Sequence, residues 1–229
     1  MRVDGLLFDK DGTLFDFGAT WNGWAASMIE RFAQGDAGLS QRIADALMFD
    51  LSAKAFRPDS FVIAGTNREA AEAVASVLPG SDVDAIDEAL MFAAADAPLA
   101  PAVPLAPLMD GFRAQGLKLG VMTNDTEYGA KAHLSGAGVE DRFDFIAGFD
   151  SGFGAKPDPG PLLAFAEHTQ LTPARVAMVG DSTHDLIAGR RAGMQTIAVL
   201  TGVALEAELA PHADVVLPNI GHIPAWMVA

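Results

Sequence analysis

The sequence predicts an α/β fold, a parallel sheet flanked by helices and interrupted by a helical insert. Short apolar runs of strand length recur along the chain, and amphipathic segments of helical length separate the later runs. Strands that alternate with helices favour a parallel sheet covered on both faces. Residues 17–100 differ, because their alanine-rich segments show helical spacing and no convincing strand. With 229 residues, 50% of them hydrophobic, the chain can bury one large domain and a smaller insert.

The six predicted strands are short apolar runs bounded by Gly, Asn or Asp, as expected for strands that are buried on both faces. They cover residues 5–9, 117–123, 143–147, 176–180, 196–200 and 214–217. The helices predicted between the later strands cover residues 104–115, 127–137, 159–169 and 185–192.

The insert is predicted to contain four helices, over residues 24–34, 40–55, 67–78 and 82–95. A proline-rich stretch, residues 97–107, closes the insert and suits either an extended connector or a plain surface loop. The expected domains are therefore a core of residues 1–16 and 101–229 and a helical insert of residues 17–100.

Composition excludes several classes of function. Thirty acidic against 15 basic residues give a net charge of -15, which disfavours binding to nucleic acid. The chain has no cysteine, so any metal must be held by oxygen or histidine ligands. We expect no membrane segment and no signal peptide, since no apolar stretch is long enough for either. A cytoplasmic location is the corresponding expectation.

Polar side chains follow three of the predicted strands, where parallel α/β sheets form their ligand crevice. A lysine also lies in a loop between the last two groups, and Pro157 keeps its backbone extended. These residues are Asp9, Asp11, Thr123, Asn124, Asp125, Lys156, Asp181 and Asp185. Each aspartate taken alone could be a turn former or a helix cap. Taken together, the carboxylates would repel one another unless a cation lay among them, and Mg²⁺ is the cation that prefers oxygen ligands.

Such a site suits phosphoryl transfer. A carboxylate can attack an electrophile, a second carboxylate can carry protons, and the metal and a lysine can neutralise an anionic transition state. Phosphoryl transfer is the reaction that most needs this positive charge.

Four motifs in the chain resemble, in order, those of the haloacid dehalogenase (HAD) superfamily of hydrolases. They are DKDGT at residues 9–13, Thr123 in VMTND, Lys156 in KPDP, and GDSTHD at residues 180–185. The match spans nearly the whole chain, and it implies a Rossmann-like core. The insert after the first motif resembles the helical C1-type cap of the phosphoglycolate phosphatase-like branch.

The resemblance also implies the role of each site residue. Asp9 would be the nucleophile that forms an aspartyl-phosphate, and Asp11 would protonate the leaving alcohol and later activate water. Asp9, the backbone carbonyl of Asp11 and Asp181 would hold Mg²⁺. Having Asp11, the chain differs from the dehalogenases of the superfamily, which lack a carboxylate there and need no metal.

The remaining implied roles concern the phosphate. Thr123 and the backbone amide of Asn124 would bind the phosphoryl oxygens. Lys156 would offset the charge of the nucleophile and the phosphate, and Asp185 would orient either the metal ligands or Lys156.

Weaker patterns give further expectations. Arg57, in the loop-like stretch AFRPDS, could bind a substrate carboxylate or be a plain exposed arginine. Trp21 and Trp24 are expected to pack in the cap core or an interface rather than to form a substrate platform. His184 could approach the crevice but is expected to be a surface or packing residue. Lys10 could point into the crevice and add phosphate-binding charge, but it is expected to point outward into solvent.

The predicted function is that of a Mg²⁺-dependent phosphatase acting on a small phosphorylated metabolite, with 2-phosphoglycolate the first candidate, in a monomer or homodimer. A phosphomutase of the same superfamily is one alternative. A receiver-like module that is phosphorylated on aspartate is another, although such modules are typically half this length and have no equivalent of Asp11 or the cap.

Overall fold

The computed structural model describes residues 2–228. Its strands are β1 (Gly5–Phe8), β2 (Phe49–Asp50), β3 (Ala55–Phe56), β4 (Lys118–Met122), β5 (Phe145–Ala147), β6 (Val176–Gly180), β7 (Gln195–Val199) and β8 (Val215–Leu217). Six of them form one parallel sheet in the order β5-β4-β1-β6-β7-β8. The predicted α/β fold is confirmed, and the six core strands lie where the apolar runs placed them.

The helices are α1 (Phe17–Ala33), α2 (Ala37–Ala46), α3 (Asn67–Val77), α4 (Val83–Ala95), α5 (Leu105–Ala114), α6 (Glu127–Gly136), α7 (Gly160–Thr169), α8 (Thr183–Ala192), α9 (Glu206–Leu209) and α10 (Ile223–Val228). Side-chain caps fix several of their starts. Asp16 accepts a hydrogen bond from the Ala19 amide at 2.7 Å, and Thr126 caps α6 in the same way. No helix within residues 2–228 is long and apolar enough to cross a membrane.

Alternation along β1 divides the core between the two faces of the sheet. Leu6 and Phe8 pack in one apolar cluster with Phe112 of α5, whereas Leu7 packs in a second cluster with Phe165 of α7. All five side chains are fully buried. A strand buried on both faces must be apolar throughout, which explains the continuous run in the sequence.

The insert has its own apolar cluster, which α1 to α4 share with the hairpin of β2 and β3. Two expectations are corrected here. The first helix begins at Phe17 rather than at residue 24, because Asp16 caps it. The helix predicted over residues 40–55 ends at Ala46, because Met48 takes a left-handed φ of 53° and Asp50 accepts hydrogen bonds from the turn that follows.

Two chain segments connect the sheet to the insert, and they pair with each other. Phe15 forms an antiparallel bridge with Pro101. The Asp16 amide donates to the Ala100 carbonyl at 2.8 Å, and the Ala102 amide donates to the Leu14 carbonyl at 2.9 Å. The middle of the proline-rich stretch is therefore extended.

Candidate active site

The register of three central strands brings the predicted residues together. Phe8 pairs with Val121 on one side and with Val179 on the other. The polar residues just beyond these strand ends, Asp9, Thr123 and Asp181, therefore lie at one edge of the sheet. All three are buried beneath the insert, with relative exposures of 5%, 2% and 4%.

Three carboxylates and one lysine form the centre of the site. Asp9, Asp181 and Asp185 each offer an oxygen within 4.8 Å of the others. The Lys156 ammonium donates to Asp9 Oδ1 at 2.5 Å and to Asp185 Oδ1 at 2.6 Å. Asp185 also accepts from the Ser182 amide and hydroxyl, so its carboxylate is held firmly against Lys156. The centre of the site thus contains three buried carboxylates and one cation, which contacts two of them.

The excess of negative charge in the site shifts the pKa values of its side chains. Burial, together with the charges of Asp185 and Asp11, raises the pKa of Asp9 to about 7 against the opposing effect of Lys156. Burial, with Asp9 and Asp185, also raises the pKa of Asp181 well above its usual value. Although burial disfavours the Lys156 ammonium, Asp185 and Asp9 hold its pKa above the usual range. The site therefore favours an additional cation.

The donor set and the backbone around Asp181 fit Mg²⁺. Gly12, at φ +82°, and Gly202 both approach so closely that a Cβ on either would overlap the Asp181 carboxylate. Thr13 donates to Asp181 Oδ1 at 3.3 Å, and Thr201 donates to the Gly12 carbonyl at 2.6 Å. Carboxylate oxygens held in a tight backbone cradle are ligands that suit Mg²⁺. Asp185 also belongs to the carboxylate cluster, whereas the resemblance implied only that it orients the metal ligands or Lys156.

Asn124 connects the site to the insert. Its side-chain amide donates to the Lys156 carbonyl at 2.9 Å and to the Ala64 carbonyl of the insert at 2.8 Å, and its Oδ1 accepts from the Lys156 amide at 2.9 Å. The Thr123 hydroxyl accepts from the Asp125 amide at 3.1 Å. Asn124 therefore fixes the loop that carries Lys156.

The expectation that Lys10 points outward into solvent is wrong, because its side chain is fully buried. Its ammonium contacts Asp11 Oδ2 at 2.6 Å, Asp125 Oδ2 at 3.1 Å and His133 Nδ1 at 3.0 Å. It also lies 5.2 Å from the centre of the Trp21 ring. These partners could not be predicted from the sequence, because His133 is 123 positions away along the chain.

The same network reaches the insert and orients Asp11. His133 accepts from Lys10 at Nδ1, so its Nε2–H donates to the Ala94 carbonyl of α4 at 2.7 Å. Burial, reinforced by Lys10, lowers the pKa of His133 and keeps the ring neutral. Lys10 holds Asp11 Oδ2, whereas Asp11 Oδ1 has no hydrogen-bond partner among residues 2–228. Because Asp11 lines the cavity, it can offer this second oxygen to a ligand.

The cavity above these residues is bounded by core and insert and contains about 730 Å³ of space, part of it open to solvent. Its upper wall is aromatic, formed by Phe17, Trp21, Trp24 and Phe56. The two tryptophans, expected only to pack in the cap or an interface, pack edge to face against each other and also face the cavity.

The structure also places two residues for which the sequence allowed more than one role. His184, expected to be a surface or packing residue, lines the cavity. Arg57 does not line it. The guanidinium pairs with Asp45 at 3.2 Å on the surface and is 47% exposed. The AFRPDS stretch thus contributes Phe56 to the cavity wall instead of Arg57. Phe56 and Arg57 are equally evident in the sequence, but only the fold decides which of these two adjacent side chains faces the cavity.

Comparisons with known proteins agree with this geometry. A family model described as haloacid dehalogenase-like hydrolase matches residues 3–193. A phosphoglycolate phosphatase from Rhodospirillum rubrum is 31% identical over 120 residues, 52% of this chain and 50% of the relative. Another from Psychrobacter arcticus is 38% identical over 90 residues, 39% of each chain. The chain thus matches about half the length or less of these curated relatives.

The fold as a whole is also found among solved structures. A predicted phosphoglycolate phosphatase from Haemophilus somnus superposes with a TM-score of 0.75, covering 99% of both chains at 17% identity. At that identity the likeness establishes the shared fold and nothing more.

Proposed function

The chain belongs to the haloacid dehalogenase-like hydrolase family, and from that premise we propose that it is a Mg²⁺-dependent phosphatase that works through an aspartyl-phosphate. The observation that carries the proposal is the buried pairing of Lys156 with Asp9 and Asp185 beside Asp181, with one oxygen of Asp11 free nearby. The nucleophile, the lysine that balances its charge and the proton donor thus line one cavity.

In the first step, an oxygen of Asp9 attacks phosphorus while the bond to the leaving alcohol breaks and its electron pair goes to the alcohol oxygen. Asp11 donates a proton from Oδ1 to that alcohol oxygen. Lys156, Thr123 and the backbone amide of Asn124 hold the phosphoryl oxygens.

In the second step, Asp11 takes a proton from water as the water oxygen attacks the phosphorus of the aspartyl-phosphate. The Asp9 carboxylate then leaves with its electron pair, and phosphate is released. Lys10 keeps Asp11 in place for both steps because it binds the oxygen that does not react. Mg²⁺, when held by Asp9, Asp181 and the backbone carbonyl of Asp11 within reach of Asp185, supplies positive charge that offsets the transferred phosphoryl group.

The substrate is a small phosphorylated metabolite, which the names of the relatives and the size of the cavity support. Residues 17–100 act as a cap over the core of residues 1–16 and 101–229, in a cytoplasmic monomer or homodimer that binds neither nucleic acid nor membrane. The names of the relatives favour 2-phosphoglycolate, but Arg57, the residue expected to hold its carboxylate, faces Asp45 instead.

Two variants test the mechanism. Phosphate release from a panel of small esters should require Mg²⁺ and stop with EDTA, and Asp9→Asn and Asp11→Asn should each abolish it. Arg113→Gln, which changes an exposed residue far from the site, is the control. A stable phosphoprotein formed from a small phosphodonor, without turnover, would instead favour a receiver-like module. Activity that requires a sugar bisphosphate would favour a phosphomutase.

A further inference from the structure

On the basis of the proposed phosphatase function, we propose that the substrate is a monoester whose organic part is neutral and aromatic or similarly flat and apolar. The specificity-determining residues are Trp24 and Phe56 of the cap. An ester that carries a carboxylate, such as 2-phosphoglycolate, is then a poor substrate for this chain.

The shape and chemistry of the upper cavity wall support a flat apolar ligand. Phe17 and Phe56 pack with ring centres 5.9 Å apart, and Trp21 and Trp24 with ring centres 5.0 Å apart, both in edge-to-face geometry. Such pairs hold their rings in fixed orientations. Val62 and Ile63 extend the apolar surface between them. A ring bound here would bury apolar area against a wall that is already in place.

The wall also lacks a cationic partner for a second anionic group, and its one unpaired side-chain donor among residues 2–228 is the neutral indole N–H of Trp24. Among the described residues, the basic side chains of the cavity lining are Lys156 and His184, and both belong to the core. Lys156 is already bound to Asp9 and Asp185. His184 lies in the first turn of α8, between Asp181 and Asp185 along the chain.

The polar cap residues of the lining are engaged as well. Thr66 forms a capping box with Glu69 at the start of α3. The side-chain amide of Asn67 donates to the Asp87 backbone carbonyl at 2.9 Å. A substrate carboxylate bound here would therefore contact apolar cap residues on one side and face the buried aspartates of the core on the other. An anion left without a partner in such surroundings is strongly disfavoured.

The test compares three esters of primary alcohols, so that the leaving groups are similar: benzyl phosphate, 4-carboxybenzyl phosphate and 2-phosphoglycolate, each with Mg²⁺. We expect kcat/KM for benzyl phosphate to exceed that for either anionic ester by about 10- to 100-fold. Asp9→Asn should abolish all turnover. If 2-phosphoglycolate or the carboxybenzyl ester equals or exceeds benzyl phosphate, this inference alone is wrong. If no ester is hydrolysed, the proposed function and the inference fail together.

Variants of the wall separate recognition from folding. Trp24→Leu should lower kcat/KM for benzyl phosphate by about tenfold relative to that for methyl phosphate, which has no ring. Trp226→Leu, which changes a buried tryptophan outside the cavity, should not alter the ratio. Val62→Arg, which adds a cation to the wall, should move the preference toward the carboxybenzyl ester by about tenfold. Equal losses on both esters in Trp24→Leu, or no change in Val62→Arg, would overturn the assignment.

Discussion

Replacing Lys10 by methionine should lower the free energy of unfolding by about 3–5 kcal/mol. The ammonium lies 2.6 Å from Asp11 and 3.1 Å from Asp125, and the three side chains are 0%, 13% and 10% exposed. At an effective dielectric constant of about 20, each attraction is on the order of 5–6 kcal/mol before desolvation is counted. The burial of the ammonium offsets much of this in the native protein. In Lys10→Met, however, two carboxylates remain close together and buried without their cation.

Urea denaturation followed by tryptophan fluorescence measures the loss, since Trp21 lies beside Lys10. Lys118→Met is the matched control. Lys118 is 49% exposed and pairs with Asp144 at 3.3 Å, so its loss should cost about 1 kcal/mol or less.

A double-mutant cycle identifies the cause. Asp125→Asn, introduced into Lys10→Met, removes one orphaned charge and should recover part of the lost stability, although it destabilises the wild type. If Lys10→Met costs no more than Lys118→Met, or if Asp125→Asn recovers nothing, the buried ion network is not what stabilises this region.

Three further outcomes are expected. Because the pKa of Asp9 is raised to about 7, mainly by burial, the metal-free fold holds a proton that the unfolded chain releases, and its stability should fall between about pH 4 and pH 7. Asp9→Asn should flatten that fall in melting temperature, and an equal fall in both proteins would contradict the assignment. Gly202→Ala should weaken Mg²⁺ binding by about 10- to 100-fold in calorimetry, since its Cβ displaces Asp181, whereas Gly111→Ala, with open space around it, should not. Arg57→Ala should change kcat/KM by less than about twofold, because its exposed ion pair lies outside the cavity; a tenfold loss would return Arg57 to the substrate site.

Much of the core could be predicted because its elements follow local rules. The run Leu6-Leu7-Phe8 is apolar at every position, which marks a strand covered on both faces, and the later helices show clear amphipathic spacing. The insert was harder, since short hairpins such as β2 and β3 depend on a few turn residues. The Asp50 side chain helps to end the predicted helix because it accepts hydrogen bonds from the backbone amides of the turn that follows. The composition of residues 40–55 does not reveal this competition between side-chain hydrogen bonds and a continued helix.

By itself, the sequence determined the family, the fold class and the order of the motif residues, because carboxylates placed directly after buried strands reach one sheet edge in any parallel arrangement. Only the tertiary structure decided which neighbours face the cavity. Lys10 is buried because Asp125 and His133 arrive from elements more than a hundred positions away, and Phe56 rather than Arg57 enters the wall because the β2–β3 hairpin turns it inward. Side-chain direction at such positions is set by contacts between distant segments, which local patterns do not contain.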